Sequence, residues 1–191
     1  MYILVVSSSL DPNSRSRTLA QLCVAELEGQ HIGVKYVDLA EYDVPNFDND
    51  TIYHTEQYRQ LHQLTQGAAG IVLCSPVYNW GCCSELKKYI EYVGSTPPDG
   101  SLTGALFDKV ITFVCSAGLP HSYMASSALS ASLSLDFKCI INPYQVYVHD
   151  RHWVNNTLSD ERWPRLRKSM FVMAELCQLL SARTYQSHWE I

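Results

Sequence analysis

Basic residues are in short supply. The 191-residue chain has 14 Lys and Arg against 19 Asp and Glu, a formal net charge of −5. No basic run or stripe interrupts that balance, which argues against nucleic acid as a main partner. Long apolar runs are missing too, and none approaches the length of a membrane span, so no membrane partner is expected. The opening residues, Met1-Tyr2-Ile3-Leu4-Val5-Val6, lack a basic lead and form too short an apolar stretch for a secretory signal. A cytoplasmic protein is the expectation. Repeats, low-complexity tracts and long linkers are absent, which predicts one domain over 1–191. The seven cysteines are odd in number and fall within strand or helix patterns, so they suit free thiols better than a disulfide frame. Cys82-Cys83 is the pair that invites a redox or soft-metal reading. No zinc spacing accompanies it, and two small side chains packing at a helix start is the simpler account. His54, His62, His121, His149, His152 and His188 form no ligand motif and are expected mostly at the surface. No catalytic triad is visible.

What is present is an alternation of strand and helix patterns. Tyr2 to Val6 reads as strand one, and Leu19, Leu22, Cys23 and Leu27 mark a first helix. Gly33 to Asp38 is strand two, Glu56 to Gln66 helix two and Ile71 to Cys74 strand three. Leu86, Ile90 and Val93 then mark helix three, and Asp108 to Cys115 is a strongly apolar strand four. Tyr123 to Leu135 reads as helix four. Phe137 to Tyr147 is strand five, with Pro143 imposing a bend or an edge position. From Ser159 onward, Trp163, Leu166, Met170, Met173, Cys177 and Leu180 describe a long amphipathic helix. Five such units predict an α/β, doubly wound, five-stranded parallel sheet in the flavodoxin-like order 2-1-3-4-5, with helices on both faces.

That order sets the carboxyl ends of strands one, three and four side by side. The first is followed by Ser7-Ser8-Ser9-Leu10-Asp11-Pro12-Asn13-Ser14-Arg15-Ser16-Arg17. This serine-rich turn into a helix gathers hydroxyls, unpaired amides and the positive end of the helix dipole, as a phosphate requires. Arg15 and Arg17 add charge, while a simple cap by Asn13 or Ser14 is the alternative. The second end is followed by a loop carrying Pro76, Val77, Tyr78, Asn79 and Trp80, and the third by Ser116 to Pro120. Together they suit an aromatic ring joined to a phosphate by a flexible chain, which is the shape of FMN.

At these residues the sequence resembles the NADPH-dependent FMN reductase family. Pro76, Tyr78, Asn79, Leu86 and Lys87 follow the family's motif after strand three, and Ser9, Leu10, Ser14, Arg15 and Ser16 follow its phosphate loop. Asp11 departs from that pattern, standing where the family usually has Arg. Val77 stands for a frequent Glu, Cys83 for a frequent Pro and Trp80 for a small residue. The resemblance implies an FMN-dependent NAD(P)H oxidoreductase using NADPH or NADH and passing electrons to a small acceptor such as free flavin or a quinone. It implies phosphate held by Ser9, Ser14 and Ser16 with Arg15 as the cation. The ring would be met by backbone groups of Pro76 to Asn79, bordered by Tyr78 and Trp80, and covered on its pyrimidine side by Ser116, Ala117 and Gly118. Orienting stacked rings needs no dedicated acid or base, so no catalytic side chain is assigned. Pairing into a homodimer or homotetramer is expected, through apolar surface on helix three and the final helix. A flavodoxin-like electron carrier and a flavin-free interaction domain stay open as alternatives.

Overall fold

The first apolar run forms β1 (Tyr2–Ser7), which pairs in parallel with β2 (Gly33–Asp38) on one side and β3 (Gly70–Tyr78) on the other. β3 in turn pairs with β5 (Val110–Ala117), and β5 with two short parallel segments, β6 (Ile140–Ile141) and β7 (Val146–His149). This computed structural model describes residues 1–97, 100 and 103–189. Allowing for the divided last strand, the order is the expected 2-1-3-4-5.

The division has a local cause. Buried Asn142 donates from its amide to Thr112 Oγ1 at 2.9 Å and to Ser169 O at 3.0 Å. Its Oδ1 accepts the Tyr144 amide at 2.8 Å. Pro143, with no N–H to give a ladder, rides the bend so formed.

Among the described residues five α-helices cover the sheet: α1 (Arg15–Gly29), α2 (Glu56–Gln66), α3 (Ser84–Gly94), α4 (Ser127–Asp136) and α5 (Trp163–Leu180). Alternation along the strands sorts the core into two layers. Ile3, Val5, Val72 and Val114 meet α1 and α5, whereas Leu4, Val6, Ile71, Leu73, Ile111 and Phe113 meet α2, α3 and α4. Both faces are covered, which is why the inner strands β1, β3 and β5 read as apolar runs, whereas edge strand β2 carries Lys35 and Asp38.

Several expectations need correcting. Leu86, Ile90 and Val93, and with them Leu166, Met170 and Met173, are spent inside the chain's own core, while Phe171 and Leu179 on α5 stay exposed. Further exposed apolar side chains, among them Tyr78, Trp80, Leu119, Tyr123 and Met124, lie in the segments beyond β3 and β5. Helix four starts at Ser127 and not at Tyr123; its N-cap Ser126 gives its hydroxyl to Gln145 Oε1 at 2.6 Å and makes no side-chain cap. His62 is buried, its Nε2 2.7 Å from Thr103 O, and burial lowers its pKa; His152 is buried as well. The seven cysteines are all free thiols. Among the described residues no cluster of His, Cys, Asp or Glu is built to hold a metal, and no helix is long and apolar enough to cross a membrane.

Candidate functional site

Parallel pairing in register Ser7 to Cys74 and Pro76 to Ser116 puts the carboxyl ends of β1, β3 and β5 on one rim. The three predicted segments therefore come together, and each is shaped by its own residues.

In the first, Ser14 is the N-cap of α1, its Oγ accepting the Arg17 amide at 3.4 Å and lying 2.7 Å from Ser16 Oγ. Ser9 Oγ accepts the Asp11 amide at 3.2 Å. All three serines are buried, and the bond between Ser14 and Ser16 uses one of their hydroxyl protons. The amides of Arg15 and Ser16, the first two of the helix, have no intrahelical acceptor, and the first turn carries no carboxylate. Asp11 is turned back on its own loop, where Oδ1 accepts the Asn13 amide at 2.9 Å.

The two arginines part company. Residues two apart on a helix point to opposite sides, and here Arg17 turns inward while Arg15 faces the rim. Arg17 is paired with Asp38 and donates through Nη2 to Ser9 O at 2.8 Å and through Nη1 to Asp11 O. The Asp38 hydrogen bond, ahead of all else, raises its pKa. Arg15 pairs with Asp150, at 39% and 60% side-chain exposure, and its guanidinium carbon lies 5.5 Å from the centre of the Trp153 ring.

In the second segment the expected loop is largely strand. Pro76, Val77 and Tyr78 continue β3, which turns back through Asn79 and Trp80 into β4 (Gly81–Cys82), with Val77 opposite Cys82 and Tyr78 opposite Gly81. Asn79 and Trp80 have φ of 49° and 66°. Both central residues positive is the hairpin turn that Asn-Gly favours. Trp in Gly's place costs about 1–2 kcal/mol, strain of a kind that collects at binding sites. Trp80 is 67% exposed, so burial does not repay it.

Cys83 joins the first two segments from the start of α3, its Sγ 3.1 Å from Ser8 Oγ and 3.4 Å from Ser75 Oγ. It packs there as a small side chain. The Cys82 thiol lies against that of Cys115, which lowers the pKa of Cys82 and raises that of Cys115. In the third segment Ser116 and Ala117 end β5, Ser116 buried, and Gly118 follows exposed. A Cβ on Gly118 would lie 3.7 Å from Asp150 Oδ2.

Asp150 and Trp153 were missed as members of the rim. They lie on a short helical turn (150–152) and a hairpin of β8 (Trp153–Val154) and β9 (Thr157–Leu158). The signal was there: Asn155-Asn156 between apolar and β-branched neighbours, with φ of 48° and 61°.

Such a rim on such a sheet defines a flavodoxin-like ligand-binding protein. Residues 1–152 match the NADPH-dependent FMN reductase family. The chain belongs to that family, and with it to the FMN-dependent NAD(P)H oxidoreductases. It is 27% identical over 140 residues to an FMN-dependent NADH:quinone oxidoreductase of Haemophilus influenzae (strain PittEE), covering 61% of this chain and 70% of that one. It is 23% identical over 165 residues to an NADPH azoreductase of Bacillus sp. (strain OY1-2), 86% and 85% of the two chains. In fold it is similar to a flavoenzyme NAD(P)H:(acceptor) oxidoreductase from Paracoccus denitrificans, with TM-score 0.76, 16% identity and coverage of 93% and 97%.

Proposed function

We propose that the protein carries reducing equivalents from NAD(P)H to a small acceptor, a quinone or free flavin, with FMN seated on the rim of β1, β3 and β5. The observation that carries the reading is the convergence of buried Ser9, Ser14 and Ser16 with the free amides of Arg15 and Ser16 at one helix start. These donors fit a phosphate monoester. Bound FMN would supply the acceptance of hydride and its onward transfer.

The chain's own residues do the rest. Arg17 holds Ser9 and Asp11 by their carbonyls and so fixes the loop that offers the hydroxyls. Arg15 supplies the rim-facing charge, shared with Asp150. The β3 hairpin offers backbone groups of Pro76 to Asn79, Tyr78 and Trp80 border the ring, and Ser116, Ala117 and Gly118 close its pyrimidine side. The whole described chain serves as one FMN-binding domain.

Titration with FMN should give a saturable yellow complex, and that complex should oxidise NADPH or NADH with a quinone and no partner protein. A protein that takes up no FMN and consumes no nicotinamide under either condition overturns the reading; FMN uptake without turnover makes it a carrier. Arg15→Ala should weaken FMN by about 1–3 kcal/mol. Asp150→Asn, freeing Arg15 from an exposed pair worth about 0–1 kcal/mol, should tighten FMN several-fold and leave riboflavin, which lacks the phosphate, unchanged. Equal responses of FMN and riboflavin to both substitutions would remove Arg15 from the phosphate.

Tyr78, Trp80, Leu119, Tyr123 and Met124 are exposed apolar side chains on the segments that follow β3 and β5, and a second copy of the chain is proposed to cover them as a homodimer, alone or within a homotetramer. Sedimentation at micromolar concentration should give at least twice the monomer mass, and Trp80→Ser with Met124→Ser should lower it. A monomer for the unaltered chain would dismiss the pairing.

A further inference from the structure

A separate cavity of about 560 Å³ lies along β7, outward of the β5 end of the rim. Its size is that of a small-molecule site. Tyr123, Tyr147 and Pro120 give it aromatic and apolar wall, Arg162 and Arg165 line it, and among the described residues no carboxylate does.

Three of its neutral polar groups are already occupied, while His149 Nδ1 is buried with no partner among the described residues. Tyr147 donates its hydroxyl to Leu119 O, Ser126 to Gln145 Oε1, and Gln145 donates from Nε2 to Ser130 Oγ at 3.4 Å. The two guanidiniums keep terminal nitrogens to offer, although the guanidinium carbon of Arg165 lies 5.1 Å from the centre of the Tyr144 ring. Each is pinned through Nε, Arg162 to His152 Nε2 and Arg165 to Gln145 O, both at 2.9 Å. Among the described residues their terminal nitrogens meet only Glu161 Oε1, 4.0 Å from Arg162 Nη2 and on a largely exposed side chain. Two positioned cations three residues apart, with aromatic wall beside them, suit a phosphate dianion on a planar base. After burial, Arg162 and Arg151 contribute most to lowering the pKa of His149, another lining residue, as a cationic field requires.

We infer that this cavity takes the adenosine 2′-phosphate end of NADP(H), and that Arg162 and Arg165 set a preference for NADPH over NADH. The inference rests on the nicotinamide-dependent activity proposed above. Its position supports it, since a dinucleotide with its reacting ring at the β5 end of the rim would extend outward along β7. Both arginines lie beyond residue 152, where the family match ends, Arg162 as the N-cap of α5 and Arg165 in its first turn.

Calorimetric titration of the FMN-loaded protein with 2′,5′-ADP and with 5′-AMP tests it without turnover. The first should bind at least tenfold more tightly, and Arg165→Ala or Arg162→Ala should erase most of that gap. In steady state the same variants should lose tenfold or more in kcat/KM for NADPH and stay within twofold for NADH, with Arg165→Lys in between. Equal affinity for the two fragments in the unaltered protein overturns the inference even if both variants misfold. So does a retained gap in folded variants, or an effect confined to anionic acceptors. FMN uptake is scored separately, so a failure here leaves the flavin reading standing.

Discussion

Arg17→Ala should destabilise the protein by about 3–5 kcal/mol and remove its measurable hold on FMN, a larger effect than Arg15→Ala on both counts. The pair it breaks is enclosed: Arg17 and Asp38 side chains are 17% and 8% exposed. Removing one partner of a buried pair strands the other charge, and that penalty has the magnitude stated. Asp38 keeps only weak compensation, the Ala40 amide at 3.2 Å and the Tyr36 hydroxyl at 3.5 Å. The same substitution withdraws donors from Ser9 O and Asp11 O, so the serine loop loses its brace as well. Arg17→Lys should recover part of the stability, because a single ammonium cannot reach Asp38 and two carbonyls as a planar fork does. Urea unfolding with an unchanged slope, together with FMN titration, measures both effects. A loss under about 1 kcal/mol with FMN affinity intact would show that the buried pair braces nothing.

The sequence could not choose between the two arginines, since either fits a phosphate and only the folded loop decides which one is consumed inside. The frame was another matter. Strands one, three and four were legible because their centres are unbroken apolar runs, strand two because Val34, Tyr36 and Val37 follow the Gly33 punctuation, and α2 fell at Glu56–Gln66 as predicted because Thr55 caps it and Gly67 ends it. The hairpin tips were hidden. Asn79-Trp80 lacks the Gly that announces such a turn, and the strain it accepts cannot be read from composition. The break in strand five depends on Asn142 reaching Thr112 and Ser169, contacts that exist only after the sheet and α5 have met. His62 was legible and overlooked: Tyr58, Leu61, His62 and Thr65 are the buried face of α2 at helical spacing. Of the site, the three loops and their order were readable from residue pattern and topology. The share of Asp150 in Arg15 was not, because 135 residues separate them.

Gly70→Val should cost about 3 kcal/mol, at the upper end of what overpacking usually does, while leaving the flavin site of the folded fraction untouched. Gly70 opens β3 beneath α5, and a Cβ there would lie 2.6 Å from Met173 Cε, 2.7 Å from Cys177 Sγ and 2.8 Å from Val110 O. The carbonyl belongs to the sheet ladder and cannot yield. Met173 has little room to swing, being fully buried with its sulfur accepting from Thr112 Oγ1 at 3.2 Å. Relief must come from lifting α5, so helix and sheet part along the seam that Met170, Met173 and Cys177 fill. Gly29→Ala is the control. That position ends α1, has nothing within 4 Å of a built Cβ, and should gain about 0.5–1 kcal/mol. The rim stands at the opposite end of β3, so FMN affinity of folded Gly70→Val should stay within about twofold, a difference under half a kcal/mol. Unfolding midpoints near the parent value for Gly70→Val would mean that α5 does not press on the sheet as described, and a tenfold loss of FMN affinity would mean that the strain travels the length of the strand.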